Sequence, residues 1–214
     1  MEHKVTRQLF RNKYQYKIVL VCAGSQWFRS GDLDSIYEQL TRFIPTVGKE
    51  DTMRHAWITK IKSKEDLDFC FKLHKQLSKM SDFDVRVESP WLSIYTNCKS
   101  DIDSLKKIEP ELVKYISQPD KNVVLEQGVV LMTKTNYDFK VTLGKTIKEH
   151  SSFISWAETN KKLKLTKSCI NALNSSRSWG GTHFYVTGDN NLLLAKMHLG
   201  GSINKIERIV KSDQ

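Results

Sequence analysis

Apolar and polar residues alternate through "KYQYKIVLVCAG" (13–24), with Tyr14, Tyr16, Ile18, Leu20 and Cys22 on one side, and this period of two predicts a strand. The period then lengthens. In "DLDSIYEQLTRFI" Leu33, Ile36, Tyr37, Leu40 and Ile44 recur at helical spacing, and Pro45 follows as a stop. "HAWITKIKS" (55–63) predicts a second strand. "SKEDLDFCFKLHKQLSKM" predicts a second helix, with Leu67, Cys70, Phe71, His74 and Leu77 on one face and Ser63 as its N-cap. "DFDVRVESPWLSIYTN" (82–97) predicts two strands bent at Ser89-Pro90, and "DIDSLKKI" a short helix.

Residues 109–122 carry two of the four prolines and little periodicity, which predicts a connector between a domain at 1–108 and a second at 123–214. The second opens with a hairpin-like pair, "GVVLMTKT" and "DFKVTLG", bent at "TNYD". Two helical stretches follow, "TIKEHSSFISWAETN" and "LTKSCINALNSS". Then come a strand "THFYVTG", a helix "NNLLLAKMHL" capped by Asp189 and ended by Gly200-Gly201, and a strand "INKIERIVK". A faint internal echo links "IKSKEDL" (61–67) to "VTGDNNL" (186–192), each running strand, polar cap, helix start. These elements predict an α+β fold of two small α/β sandwich domains with mixed sheets. The first half, ordered strand, helix, strand, helix, hairpin, departs from the standard ferredoxin-like order, so the domains are ferredoxin-related.

Composition narrows the function classes. The 214-residue chain carries 34 Lys or Arg against 24 Asp or Glu, a net charge of +10 divided evenly between its halves. Its longest apolar run, "IVLVCA", is far shorter than the roughly 20 residues a membrane span needs. The N-terminus lacks the apolar stretch of a signal peptide. Cys22, Cys70, Cys98 and Cys169 are scattered, which predicts reduced structural thiols and a cytoplasmic protein.

Four Asp-x-Asp pairs (32/34, 66/68, 82/84, 101/103) admit two readings, a magnesium site or helix caps. Three of the four fall in the first turn of a predicted helix, which favours capping. No His pair has zinc-ligand spacing, and no phosphate-loop, dinucleotide or nucleophile-elbow motif occurs. The expectation is therefore a protein without metal or cofactor.

Charge clustering suggests a partner. Residues 139–188 hold eight Lys or Arg against Glu149 and Glu158. Within them, Lys161, Lys162, Lys164, Lys167 and Arg177 surround Trp179, Gly180 and Gly181, and His183 and Tyr185 alternate on the strand that follows. Cations beside an aromatic platform suit a flexible strand, the charges tracking phosphates and the rings stacking on bases. Trp179 fits either this role or a core position, and the surrounding charge favours the first. His183 beside a glycine turn also fits a general base acting on an RNA 2′-hydroxyl.

The run "RSWGGTHFYV…LLLAKMHLGGSINKIERIV" resembles segments of uncharacterised proteins encoded by large tailed bacteriophages, which implies a phage-encoded protein of the host-cell cytoplasm or virion. Two ferredoxin-like units with a glycine-bearing turn also resemble the CRISPR repeat-processing endoribonucleases, whose longer glycine-rich loop is absent here. The expected function is non-catalytic binding of nucleic acid, DNA or RNA, within a larger assembly that supplies protein partners. The alternatives are a metal-independent endoribonuclease using His183 and a protein–protein subunit of a virion or polymerase complex.

Overall fold

The computed structural model describes residues 2–44, 61–120, 123–147, 151–175, 178 and 180–211. The chain divides into two compact units, 1–124 and 125–214. Each is built on one five-stranded mixed sheet, as the α+β expectation requires.

In the first unit the strands are β1 (Glu2–Val5), β2 (Tyr16–Val21), β3 (Phe83–Glu88), β4 (Trp91–Thr96) and β5 (Val113–Gln118), in the spatial order β1-β5-β2-β4-β3. Helices α1 (Leu33–Phe43) and α2 (Lys64–Leu77) lie between β2 and β3 in the chain, and α3 (Lys99–Ile108) between β4 and β5. Local chemistry sets the helix starts. The Asp32 carboxylate accepts from the Asp34 N–H at the head of α1. Ser63 and Asp66 form a reciprocal capping box at α2, each side chain accepting from the other's backbone N–H. Ile36 and Leu40 of α1, Cys70, Leu73 and Leu77 of α2, and Ile102 and Leu105 of α3 bury against Ile18, Leu20, Leu92, Ile94 and Ile116 of the sheet. The intervening sheet positions, among them Lys17, Val19, Ser93, Tyr95 and Tyr115, stand outside this cluster. Strand alternation therefore leaves the second face without a helical layer among the described residues.

The second unit repeats the plan. Its strands β6 (Val129–Met132), β7 (Phe139–Leu143), β8 (Leu163–Leu165), β9 (His183–Val186) and β10 (Ile203–Lys211) run in the order β6-β10-β7-β9-β8. Helices α4 (Ser151–Thr159), α5 (Lys167–Ser175) and α6 (Asp189–Leu199) follow β7, β8 and β9. Phe153, Cys169, Leu173, Leu192 and Leu199 pack on Val141, Leu143, Phe184 and Val186. Lys140, Thr142, His183 and Tyr185 take the other face.

Three expectations are corrected. Residues 109–122 are not a connector: Pro110–Leu112 is a 3-10 turn and Val113–Gln118 is β5, an interior strand between β1 and β2. The flanking prolines and one displaced residue, Lys114, conceal the strand's alternation. β6 and β7 are not hairpin partners, because β10 inserts between them, parallel to β6 and antiparallel to β7. Once β5 is counted, β2 to β5 take the βαββαβ order of a ferredoxin-like unit with α2 added, and β7 to β10 take the same order with α5 added. The strand expected at 55–63 falls, for residues 55–60, outside the described residues. The bend at Ser89-Pro90, where the peptide is cis, joins β3 to β4 as expected.

Candidate nucleic-acid interface

The helix-free face of the second sheet ends in a cleft of about 490 Å³. It is lined by residues 132–137, by Lys164 of β8, by Tyr185 of β9 and by Lys211 at the end of β10. Sheet register explains the convergence. Lys164 lies directly across from Tyr185, and Tyr185 directly across from Lys140 of β7. Lys211 pairs with Met132 on the parallel edge. The segment leading into β7 carries Tyr137 over Tyr185, with ring centroids 5.7 Å apart and planes 28° from parallel.

The cations divide into two sets. Glu207 of β10 is buried on this face and takes Lys205 Nζ at 2.6 Å and Lys140 Nζ at 3.6 Å, which pairs off both lysines in the middle of the sheet. Lys134, Lys164 and Lys211 at the rim are exposed and make no ion pair with a described residue. Three ammonium groups and a tyrosine pair thus share one opening, and no acidic side chain among the described residues lines it.

His183 is held tightly beside this pair. Its Nδ1 lies 3.0 Å from the Gly181 carbonyl, which only accepts, so the proton sits on Nδ1. Nε2 then accepts from the Tyr185 hydroxyl at 3.1 Å. Burial holds the Tyr185 phenol above its ordinary pKa, which keeps that donor protonated. The imidazole lone pair is directed at Tyr185, so His183 orients the tyrosine.

The other expected site residues separate. Lys161 and Lys162 lie in an exposed turn between α4 and β8, Lys167 opens α5, and none of the three lines the cleft. Arg177 and Trp179 lie outside the described residues. Gly180 and Gly181 have φ of 94° and 74°, and an added Cβ at either would meet nothing within 4 Å. They are glycines for their backbone angles, and Ser178 fastens the turn by accepting from the Gly180 N–H and donating to Thr182 Oγ1.

Lys134, Tyr137 and Lys211 were not foreseen, since only the register of distant strands brings them to Lys164 and Tyr185. Among the described residues no group of three or more His, Cys, Asp or Glu is placed to hold a metal ion. Asp32 and Asp66 act as helix caps, while Asp82 and Asp84 pair with Lys13 and Arg11. No helix among the described residues is long and apolar enough to cross a membrane. Comparison of the chain with known proteins finds no matching family model, no matching curated protein and no matching solved structure.

Proposed function

We propose that this protein binds single-stranded nucleic acid, without catalysis, through the cleft of its second unit. The observation that carries this reading is the stacked Tyr137–Tyr185 pair ringed by the exposed Lys134, Lys164 and Lys211. An unpaired base offers a π-face to the tyrosines, while each lysine that reaches a phosphate releases a condensed counterion. With the phage resemblance of its C-terminal run, the reading is of a phage-encoded strand-binding subunit of a larger assembly.

Fluorescence anisotropy with labelled single-stranded DNA and RNA, over a series of salt concentrations, tests it. Binding is expected to weaken steeply with salt, and each of Lys134→Ala, Lys164→Ala and Lys211→Ala to flatten the salt slope by about one. Absence of binding to either polymer at low salt would end the reading and assign the charge to an acidic protein partner. Incubation of labelled RNA in EDTA completes the test, since intact RNA is expected and cleavage would favour the endoribonuclease.

A further inference from the structure

The two units agree in more than strand order. Both sheets pair their first strand parallel to the last and all other neighbours antiparallel. The last strand of each carries the same irregularity. Between β2 and β5 the register shifts after Val19↔Tyr115, leaving Lys114 unmatched, and between β7 and β10 it shifts after Thr142↔Lys205, leaving Asn204 unmatched. A bulge is a specific feature of a fold, and its recurrence at one topological position is strong evidence of common descent.

Superposing the registers aligns β4–α3–β5 with β9–α6–β10 without insertion or deletion. Tyr95 falls on Tyr185, the start of α3 on the start of α6, the 3-10 turn Pro110–Leu112 on Gly200–Ser202, and Val113 on Ile203. The same superposition lays "YQYKIVL" (14–20) on "YDFKVTL" (137–143). In both, the tyrosine stands three residues before a lysine that pairs across the sheet with the fourth-strand tyrosine, Lys17↔Tyr95 and Lys140↔Tyr185. In both the two tyrosines stack, Tyr14 on Tyr95 at 6.3 Å and 27°, Tyr137 on Tyr185 at 5.7 Å and 28°.

The copies differ in what surrounds that pair. Where the second unit has Lys164 across from Tyr185, the first has Asp84 across from Tyr95. Asp84 takes Arg11, and Asp82 takes Lys13 Nζ at 2.7 Å, so the segment before β2 is tied down over the tyrosines. The Lys13 hydrogen bond holds the Asp82 carboxyl below its ordinary pKa. Phe10 packs on Tyr95 at 5.7 Å, and Tyr14 and Tyr95 are both left 4 % exposed. Tyr137 and Tyr185 remain half-buried. Among the described residues every cation–π contact lies in the first unit: Lys13 on Tyr14, Lys17 on Phe10, Arg11 and Lys17 on Tyr95, Lys4 and Lys17 on Tyr115, Lys114 on Trp91. Its rings and cations already satisfy each other.

We propose that the two units are copies of one strand-binding module and that the residue facing the fourth-strand tyrosine, Lys164 or Asp84, decides which copy takes an anionic strand. The first copy is closed by its own residues 10–14 and the second is open, so one chain binds one strand. This inference rests on the nucleic-acid reading of the second unit's cleft.

Native mass spectrometry of the full chain with a short single-stranded oligonucleotide at low salt counts strands directly. The wild-type protein is expected to carry one, and Lys164→Asp to weaken it by roughly tenfold or more, since it sets a like charge against phosphate. The double variant Asp82→Asn, Asp84→Lys releases both ties and restores a lysine, and is expected to carry two strands. Two strands on the wild-type protein would overturn the inference while leaving the binding function standing, as would an unchanged affinity in Lys164→Asp. A double variant that melts cooperatively and still carries one strand would also overturn it. Should the double variant fail to fold, the wild-type count and Lys164→Asp decide. No strand on the wild-type protein ends both proposals together.

Discussion

Tyr137 stacks on Tyr185 from outside the sheet, and Tyr185 in turn donates its hydroxyl to His183 Nε2, so the outer ring rests on an inner ring whose position is fixed. A base added to this stack would gain a preorganised platform and lose little side-chain freedom in doing so. Tyr137→Ala is therefore expected to cost about 1–3 kcal/mol of strand affinity, with the salt slope nearly unchanged. Tyr137→Phe should retain most of it. Anisotropy titrations of both variants at several salt concentrations check this, and an altered slope with unaltered affinity would count against stacking.

The capping box of α2 makes a prediction on stability. Asp66 Oδ2 accepts from the backbone N–H groups of Lys62 and Ser63, and Ser63 Oγ accepts from the Asp66 N–H. Ser63→Ala should lower unfolding free energy by about 1 kcal/mol in urea denaturation. Asp66→Asn should cost less, because the amide oxygen still accepts.

The thiols should react in a fixed order. Cys98 is exposed, and the Ser100 hydroxyl, followed by the Asp101 N–H, holds its pKa below the ordinary thiol value. Cys22 and Cys70 are buried with sulfurs 3.8 Å apart, and hydrogen bonding to Cys70, with burial, pushes the Cys22 thiol up. Burial pushes Cys169 up to about 12. Iodoacetamide mapping of the native protein should label Cys98 first, and the other three only on unfolding.

Cys169 also predicts a pH dependence. In the unfolded chain its thiol releases a proton near its ordinary value of 9.0, while the folded chain keeps it to about 12. The folded state then binds more protons across that window, so stability falls as pH rises through it. Cys169→Ala should remove part of the fall in melting temperature between pH 9 and 12.

A fifth measurement tests the boundary of the first unit. A chain ending at residue 108 lacks β5 and leaves β1 and β2 without their shared neighbour, whereas one ending at 124 keeps the whole sheet. Circular dichroism should show a cooperative melt for the longer fragment and none for the shorter.

The long amphipathic helices and the strands β2, β3, β4, β9 and β10 were legible in the sequence because each repeats its period several times. β1, β5 and β8 were not. β8 has only three residues, in a stretch whose lysines mark it as a cationic surface rather than a strand, and β5 is interrupted by its bulge. Strand pairing was the larger gap, since nothing local marks β10 as the neighbour of both β6 and β7. The internal echo falls elsewhere than the local pattern puts it: by strand and helix order 186–192 corresponds to 96–102, at the head of α3, not to 61–67 at the head of α2. Charge alone marked Lys164, while alternation on one strand marked His183 and Tyr185. Tyr137 was available through its repeat of Tyr14, three residues before a lysine, but that match has meaning only once Tyr95 and Tyr185 are known to lie opposite.

The parallel pairing of β1 with β5 has a consequence for synthesis. Val5 is synthesised more than a hundred residues before its partner Gln118. At typical elongation rates that interval is on the order of ten seconds. Throughout it β1 and one edge of β2 have no partner from their own sheet, and bare strand edges invite pairing with other chains. The second unit repeats the delay, since β6 waits for β10. Translation speed through residues 97–118 and 187–211 therefore governs how long a nascent chain presents open edges, and slowing there should raise aggregation more than slowing elsewhere.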